Sequence, residues 1–156
     1  MGDVGGIYAP ELRRLTSGPA QDEAPEGIGI EKISVKCQDA AEELLTRLKQ
    51  CLIVALEGNF SIDGEGFPDW FLESFEEGSP AASRFLRDGN DGPVWNLTGW
   101  LFWLGPDERL WRWWDGEVKA EDELIIALDA LEWSAPTGAL KWLFYASGAV
   151  KVNYLQ

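Results

Sequence analysis

Apolar runs alternate along this chain with glycine-rich and acidic stretches, and their spacing predicts its elements. Ile28, Ile30, Ile33 and Val35 give the alternation of a half-buried strand over 28–37, with a slip of phase at Glu31 and Lys32 that predicts a bulge. Ala41, Leu44, Leu45 and Leu48 follow at helical spacing, with Asp39 as a cap and Glu42 at the third helical position for a capping box. Residues 52–56, LIVAL, are wholly apolar and predict a second strand, so that 28–56 forms a β-α-β unit with a crossover long enough for parallel strands.

The densest apolar stretch, Val94 to Trp114, holds six of the nine tryptophans. Two aromatic runs flank Gly105, Pro106, Asp107 and Glu108, the sequence form of a β-hairpin. Trp100, Phe102 and Leu104 fall on one face of the first strand, Leu101 and Trp103 on the other, which predicts a central strand covered on both sides. Arg112 interrupts the second strand and implies that its end, Trp111 to Asp115, meets solvent or a carboxylate. Most of these tryptophans are expected in the core; one or two are candidates for an exposed platform.

Beyond Asp115-Gly116, Leu124, Ile125, Leu128 and Leu131 predict a second strong helix, ended by Pro136 and Gly138. Asp129 and Glu132 lie at the wrong end of that helix for its dipole, and nothing in the sequence explains them. LKWLFYA (140–146), Ser147-Gly148 and VKVNYL (150–155) predict a second hairpin. Two short helices are expected between 57 and 91: one from Pro68 with Trp70, Phe71 and Phe75 as its apolar face, one capped by Ser79-Pro80 and ending near Arg87. DGNDGP (88–93) then breaks the chain. The expected fold is α+β: one mixed, mostly antiparallel sheet of about six strands with two main helices packed on it. Residues 1–27, rich in Gly and Pro, form a flexible arm ahead of a single domain over 28–156, and within the arm 12–15 can form a turn of helix.

Charge alters this picture most. Against 13 Lys and Arg stand 27 Asp and Glu, a net charge of −14, which disfavours direct binding to nucleic acid or anionic membrane and favours a basic partner. Acidity that merely keeps the chain soluble is the plainer alternative. Nine of the acidic residues lie between Glu57 and Asp91, opposed only by Arg84 and Arg87. There they interleave with Phe60, Phe67, Trp70, Phe71 and Phe75, the mixture of charge and aromatic anchors expected where a basic partner docks. Solvated loops pinned to the core by the same aromatics are the competing account. Without histidine there is no Ser-His-Asp or Cys-His nucleophile pair and no histidine base. Phosphate-loop and dinucleotide motifs are missing too, and Asp63-Gly64-Glu65-Gly66 lacks the spacing of a calcium loop. No metal or other cofactor is expected, and no enzyme activity. Cys37 and Cys51 are expected as two buried thiols, with a disulfide between them as the alternative. The first residues have neither signal-peptide form nor an apolar run long enough to span a bilayer, so a cytoplasmic location is expected.

In size, acidity, lack of catalytic groups and tryptophan-rich strands, the chain resembles the small acidic immunity proteins that bacteria co-produce with polymorphic or contact-dependent toxins. The resemblance is one of general character and matches no motif residue by residue. It implies an inhibitor that covers the active site of a cognate basic toxin, of nuclease or deaminase class. The partner-binding candidates are Asp63, Glu65, Asp69, Trp70, Phe71, Glu73, Glu76 and Glu77, with Trp111, Arg112 and Asp115 second. The alternatives are a phage or mobile-element mimic of nucleic-acid charge, and a carboxylate-dependent glycan-binding protein or glycosidase, since carboxylates beside tryptophan suit sugars.

Overall fold

A computed structural model describes residues 4–88, 95–132 and 135–155. In chain order these form α1 (Val4–Ser17), β1 (Gly29–Lys36), α2 (Ala41–Glu57), α3 (Asp69–Glu73), α4 (Pro80–Arg87), α5 (Leu97–Trp103), α6 (Pro106–Arg109), β2 (Trp111–Ala120), β3 (Glu123–Ala130), α7 (Gly138–Ser147) and β4 (Lys151–Leu155). The fold is α+β. Its sheet has the order β2-β3-β1-β4 with every pairing antiparallel, so among the described residues there are four strands where about six were expected, and seven helices. No helix is long and apolar enough to cross a membrane among the described residues.

The corrections share a cause: apolar runs without polar punctuation carry no period, so length and neighbours choose helix or strand. LIVAL continues α2, because Leu44, Leu48, Cys51, Leu52 and Leu56 form one buried stripe, and the helix stops only at Gly58. No β-α-β unit exists; β1 is flanked by β3 and β4, both antiparallel to it. The expected helix over 121–131 is instead β3, a central strand whose Leu124, Ile126, Leu128 and Ala130 face the core. LKWLFYA lies in α7, where Trp142, Leu143, Phe144 and Tyr145 are all buried; a helix enclosed on nearly every side has no polar stripe to reveal it. Pro136 precedes that helix and Gly138 is its first residue, so neither ends another.

In the tryptophan-rich stretch, the first run forms α5, whose N-cap Asn96 accepts a hydrogen bond from the Gly99 N–H at 2.7 Å. The presumed hairpin turn is α6, opened by Pro106 at its first position. Only Trp111 onward is strand. Val94 and Asp91 lie outside the described residues, as does most of the DGNDGP break. β1 keeps an unbroken register, and the irregularities sit in β2, between Trp113 and Asp115 and between Val118 and Ala120. Ala40, not Asp39, occupies the N-cap of α2, in the left-handed region (φ 60°) and without a side-chain cap. The short helices after Pro68 and Ser79 stand where expected, and the Ser79 hydroxyl accepts from the Ala82 N–H at 3.1 Å. Both cysteines are free and buried.

The segment expected as a loose arm carries α1, and its Glu11, Arg14 and Leu15 are buried. Glu11 grips the Arg109 guanidinium with both oxygens, at 2.7 and 2.8 Å, and accepts the Trp113 N–H at 2.6 Å. One turn on, Arg14 donates through Nε to the Trp113 carbonyl at 2.7 Å and reaches Glu23 at 2.7 Å. The residues after α1 are tied down by Asp129, whose carboxylate accepts the Glu26 and Gly27 N–H groups at 2.8 and 2.9 Å. That contact answers the puzzle of Asp129: it is a strand residue clamping a loop, not a misplaced helix charge.

Because a buried ion pair that loses one member leaves an uncompensated charge, Glu11→Ala should lower the free energy of unfolding by about 3–5 kcal/mol. Urea unfolding followed by tryptophan fluorescence measures this. Glu11→Leu combined with Arg109→Met, which removes both charges, should recover most of the loss.

Candidate interaction surface

The acidic segment begins where α2 ends and is knit before it reaches α3. The Ser61 N–H donates to the Glu65 carbonyl at 2.9 Å, and the Ser61 hydroxyl accepts the Glu65 N–H at 3.2 Å. Gly66, at φ 110°, passes so near residue 59 that a Cβ would lie 2.2 Å from the Asn59 carbonyl oxygen, so no other residue fits this crossing. Pro68 then opens α3, and Phe71 turns inward to full burial.

Beneath the segment runs a chain of rings. Phe67 sits 5.3 Å from Phe60 and 5.4 Å from Phe71 between centroids, Phe71 lies 4.7 Å from Trp100, and Phe75 stacks on Trp142 at 5.6 Å. Contacts of this kind add about 0.5–1.5 kcal/mol each to the area that they bury. Ser74 locks the far end: its hydroxyl donates to the Phe71 carbonyl at 2.6 Å and accepts from Trp142 Nε1 at 3.1 Å.

On this base Asp63, Glu65, Asp69, Glu73, Glu76 and Glu77 are all exposed. None of the six forms an ion pair among the described residues, whereas Glu11, Glu23, Glu43 and Glu123 are each paired with Arg or Lys. Glu23 and Glu123 are held below the ordinary carboxylate range, Glu23 chiefly by the Ala20 N–H and Glu123 chiefly by the Ser34 hydroxyl. Trp70 is half-buried, with the Arg47 guanidinium 5.5 Å from its ring centroid. Phe71, at 0% exposure, is the floor of the segment, not a side chain that a partner can touch.

The second group divides in the same way. Trp111 is buried, and its indole N–H donates to the Pro136 carbonyl at 3.1 Å. Arg112 is half-buried and donates to the Trp111 carbonyl at 2.9 Å; burial, and then the neighbouring Arg109, lower its pKa. Asp115 does reach a surface. With Trp114, Ile30, Lys32, Ile125 and Ala127 it lines a groove of about 430 Å³ on the sheet face opposite the core.

Two exposed aromatics escape the sequence-based expectation. Phe102 is 56% and Trp103 43% exposed, and the rings meet edge to face at 5.5 Å. The helical phase of α5 places them there: Trp100 and Leu104, four residues apart, take the core side, and Phe102 falls opposite. An alternation pattern assigns Phe102 to the face of Trp100, so only the Asn96 cap could have signalled the helix. The helix adjoins the acidic segment, since a Cβ on Gly64 would lie 2.8 Å from Leu72 and 3.4 Å from Leu97.

Among the described residues, no group of three or more His, Cys, Asp or Glu side chains is placed to hold a metal ion. Comparison with protein-family models, curated proteins and solved structures finds no match. What the surface can do therefore rests on its own chemistry: six free carboxylates on a stiff aromatic base, beside exposed rings.

The carboxylates and their base should separate in a stability measurement. Phe71→Ala should cost about 3–5 kcal/mol in urea unfolding. Reversal of Glu73, Glu76 or Glu77 to Lys should shift stability by no more than about 0.5 kcal/mol each, as for surface changes away from packed groups.

Proposed function

We propose that the protein is a non-catalytic inhibitor that binds a basic protein partner through the face formed by Asp63, Glu65, Asp69, Glu73, Glu76 and Glu77, in the manner of a toxin-immunity protein. The observation that carries this reading is that all six carboxylates are exposed and unpaired while the buttressing beneath them is dense. An unpaired acidic field on a surface that is already ordered steers a cationic partner toward it and needs little further ordering on contact. Trp70, Phe102 and Trp103 supply the apolar and aromatic contacts that charge alone lacks. A secreted or injected nuclease or deaminase, basic because it works on nucleic acid, fits this chemistry, and the inhibitor would act by covering its active site.

Co-expression with the product of the adjacent gene tests the proposal. The expected result is a stable complex whose association rate falls steeply with ionic strength, and which Glu73→Lys, Glu76→Lys and Glu77→Lys together weaken by at least about tenfold. No complex, or one indifferent to the three reversals while the variant remains folded, would overturn it.

A further inference from the structure

At one cavity of this acidic chain the cations outnumber the carboxylates among the described residues. The cavity, of about 190 Å³, opens between the last turn of α4, Tyr145 of α7 and the start of β4. Arg84, Arg87 and Lys151 line it, together with Asp88, Tyr145 and Val150.

In a chain with 27 carboxylates and 13 cations, three cations face one cavity and none of them forms an ion pair among the described residues. The one carboxylate in the lining among the described residues, Asp88, is engaged by the Tyr145 hydroxyl. Arg84 is held in place by donating to the Ala149 carbonyl at 3.4 Å. The negative end of α4 accounts for two arginines in its last turn. It does not account for Lys151, which arrives from a different element to face the same space.

We propose that this cavity is a binding site for a phosphate group, free or as a monoester. Among the described residues, three cations against one carboxylate leave two positive charges in excess, which matches the −1.5 to −2 carried by a phosphate monoester near pH 7. Two guanidinium groups supply planar donor pairs suited to phosphate oxygens, and Lys151 adds a point charge. Val150, 39% exposed, gives an apolar contact for the carbon portion of an ester.

Calorimetric titration of the full chain at low salt, with inorganic phosphate in one arm and glycerol phosphate in the other, tests this site. Saturable 1:1 binding is expected, together with amide shifts at residues 84–88 and 150–152 by NMR. Tighter binding of the ester assigns the site to an organic phosphate, and equal or tighter binding of inorganic phosphate assigns it to the free ion. Arg87→Gln with Lys151→Gln, both exposed positions whose replacement should leave the circular dichroism spectrum unchanged, should weaken binding by about tenfold or more. Asp88→Asn should strengthen it. Absence of saturable binding in both arms, or wild-type affinity in the folded double variant, would overturn the proposal.

Discussion

The buried pair of Glu11 and Arg109 is the interaction on which the arrangement around β2 depends. Neither charge reaches water, so each has lost its hydration, and the loss is offset only by close bidentate geometry and further partners. Those partners are present: the Trp113 N–H on the carboxylate, and the Tyr8 and Trp111 rings 5.5 and 4.8 Å from the guanidinium. The pair joins α1 to the junction of α6 and β2, and Arg14 completes the grip by taking the Trp113 carbonyl. An edge strand thus has its outward backbone groups at Trp113 satisfied by side chains of a helix, one of the ways in which proteins cover such edges. Leu110, between Arg109 and Trp111, holds a left-handed backbone at φ 56°. Such a conformation costs about 1–3 kcal/mol and persists where its neighbours are locked, as both are here by burial.

Carboxylates serve two ends in this molecule. Around α1 and the sheet the carboxylates that matter are paired or bonded to backbone: Glu11, Glu23, Glu123, Asp129. Along 63–77 they are free, and the stability of that segment comes from Phe67, Phe71, Phe75 and Trp142 beneath. Residues that present charge there and residues that hold the backbone are different residues. The acidic segment can therefore change its charge pattern with little cost to the fold.

How much of this was legible follows from where polar residues punctuate the chain. β1, the first half of α2, α3, α4 and β4 could be read because alternation, a helical stripe or a cap marks each, with Ser79 before Pro80 the clearest. Three apolar stretches, 52–56, 97–103 and 140–146, fit either a strand or a helix. Each is settled by what surrounds it: the stripe inherited from Leu44 and Leu48, the Asn96 cap, and full enclosure around Trp142. β3 fits either period as well, since Ile125 and Ala127 on its groove-bearing face are apolar too, and Leu124, Ile125, Leu128 and Leu131 together make a helical stripe. Six carboxylates of the candidate surface could be found from composition alone, for exposure is the default of an unpaired Asp or Glu. The status of Phe71 and of the pair Phe102 and Trp103 could not, because it depends on helical phase in segments too short to show one. Asp129 was opaque because its partners, Glu26 and Gly27, lie more than a hundred residues away.

That separation bears on how the chain is made. Glu11 precedes Arg109 by 98 residues and Trp113 by 102, so it leaves the ribosome long before either partner exists for it to hold. A fourteen-residue helix containing Pro10 is marginal on its own. Its grip on β2 can form only once that strand has emerged, whereas its packing against α2 is available much earlier. Of the two places where α1 packs, the one on α2 is local in the chain, while the grip of Glu11 on Arg109 closes a loop of 98 residues and is therefore the later to form.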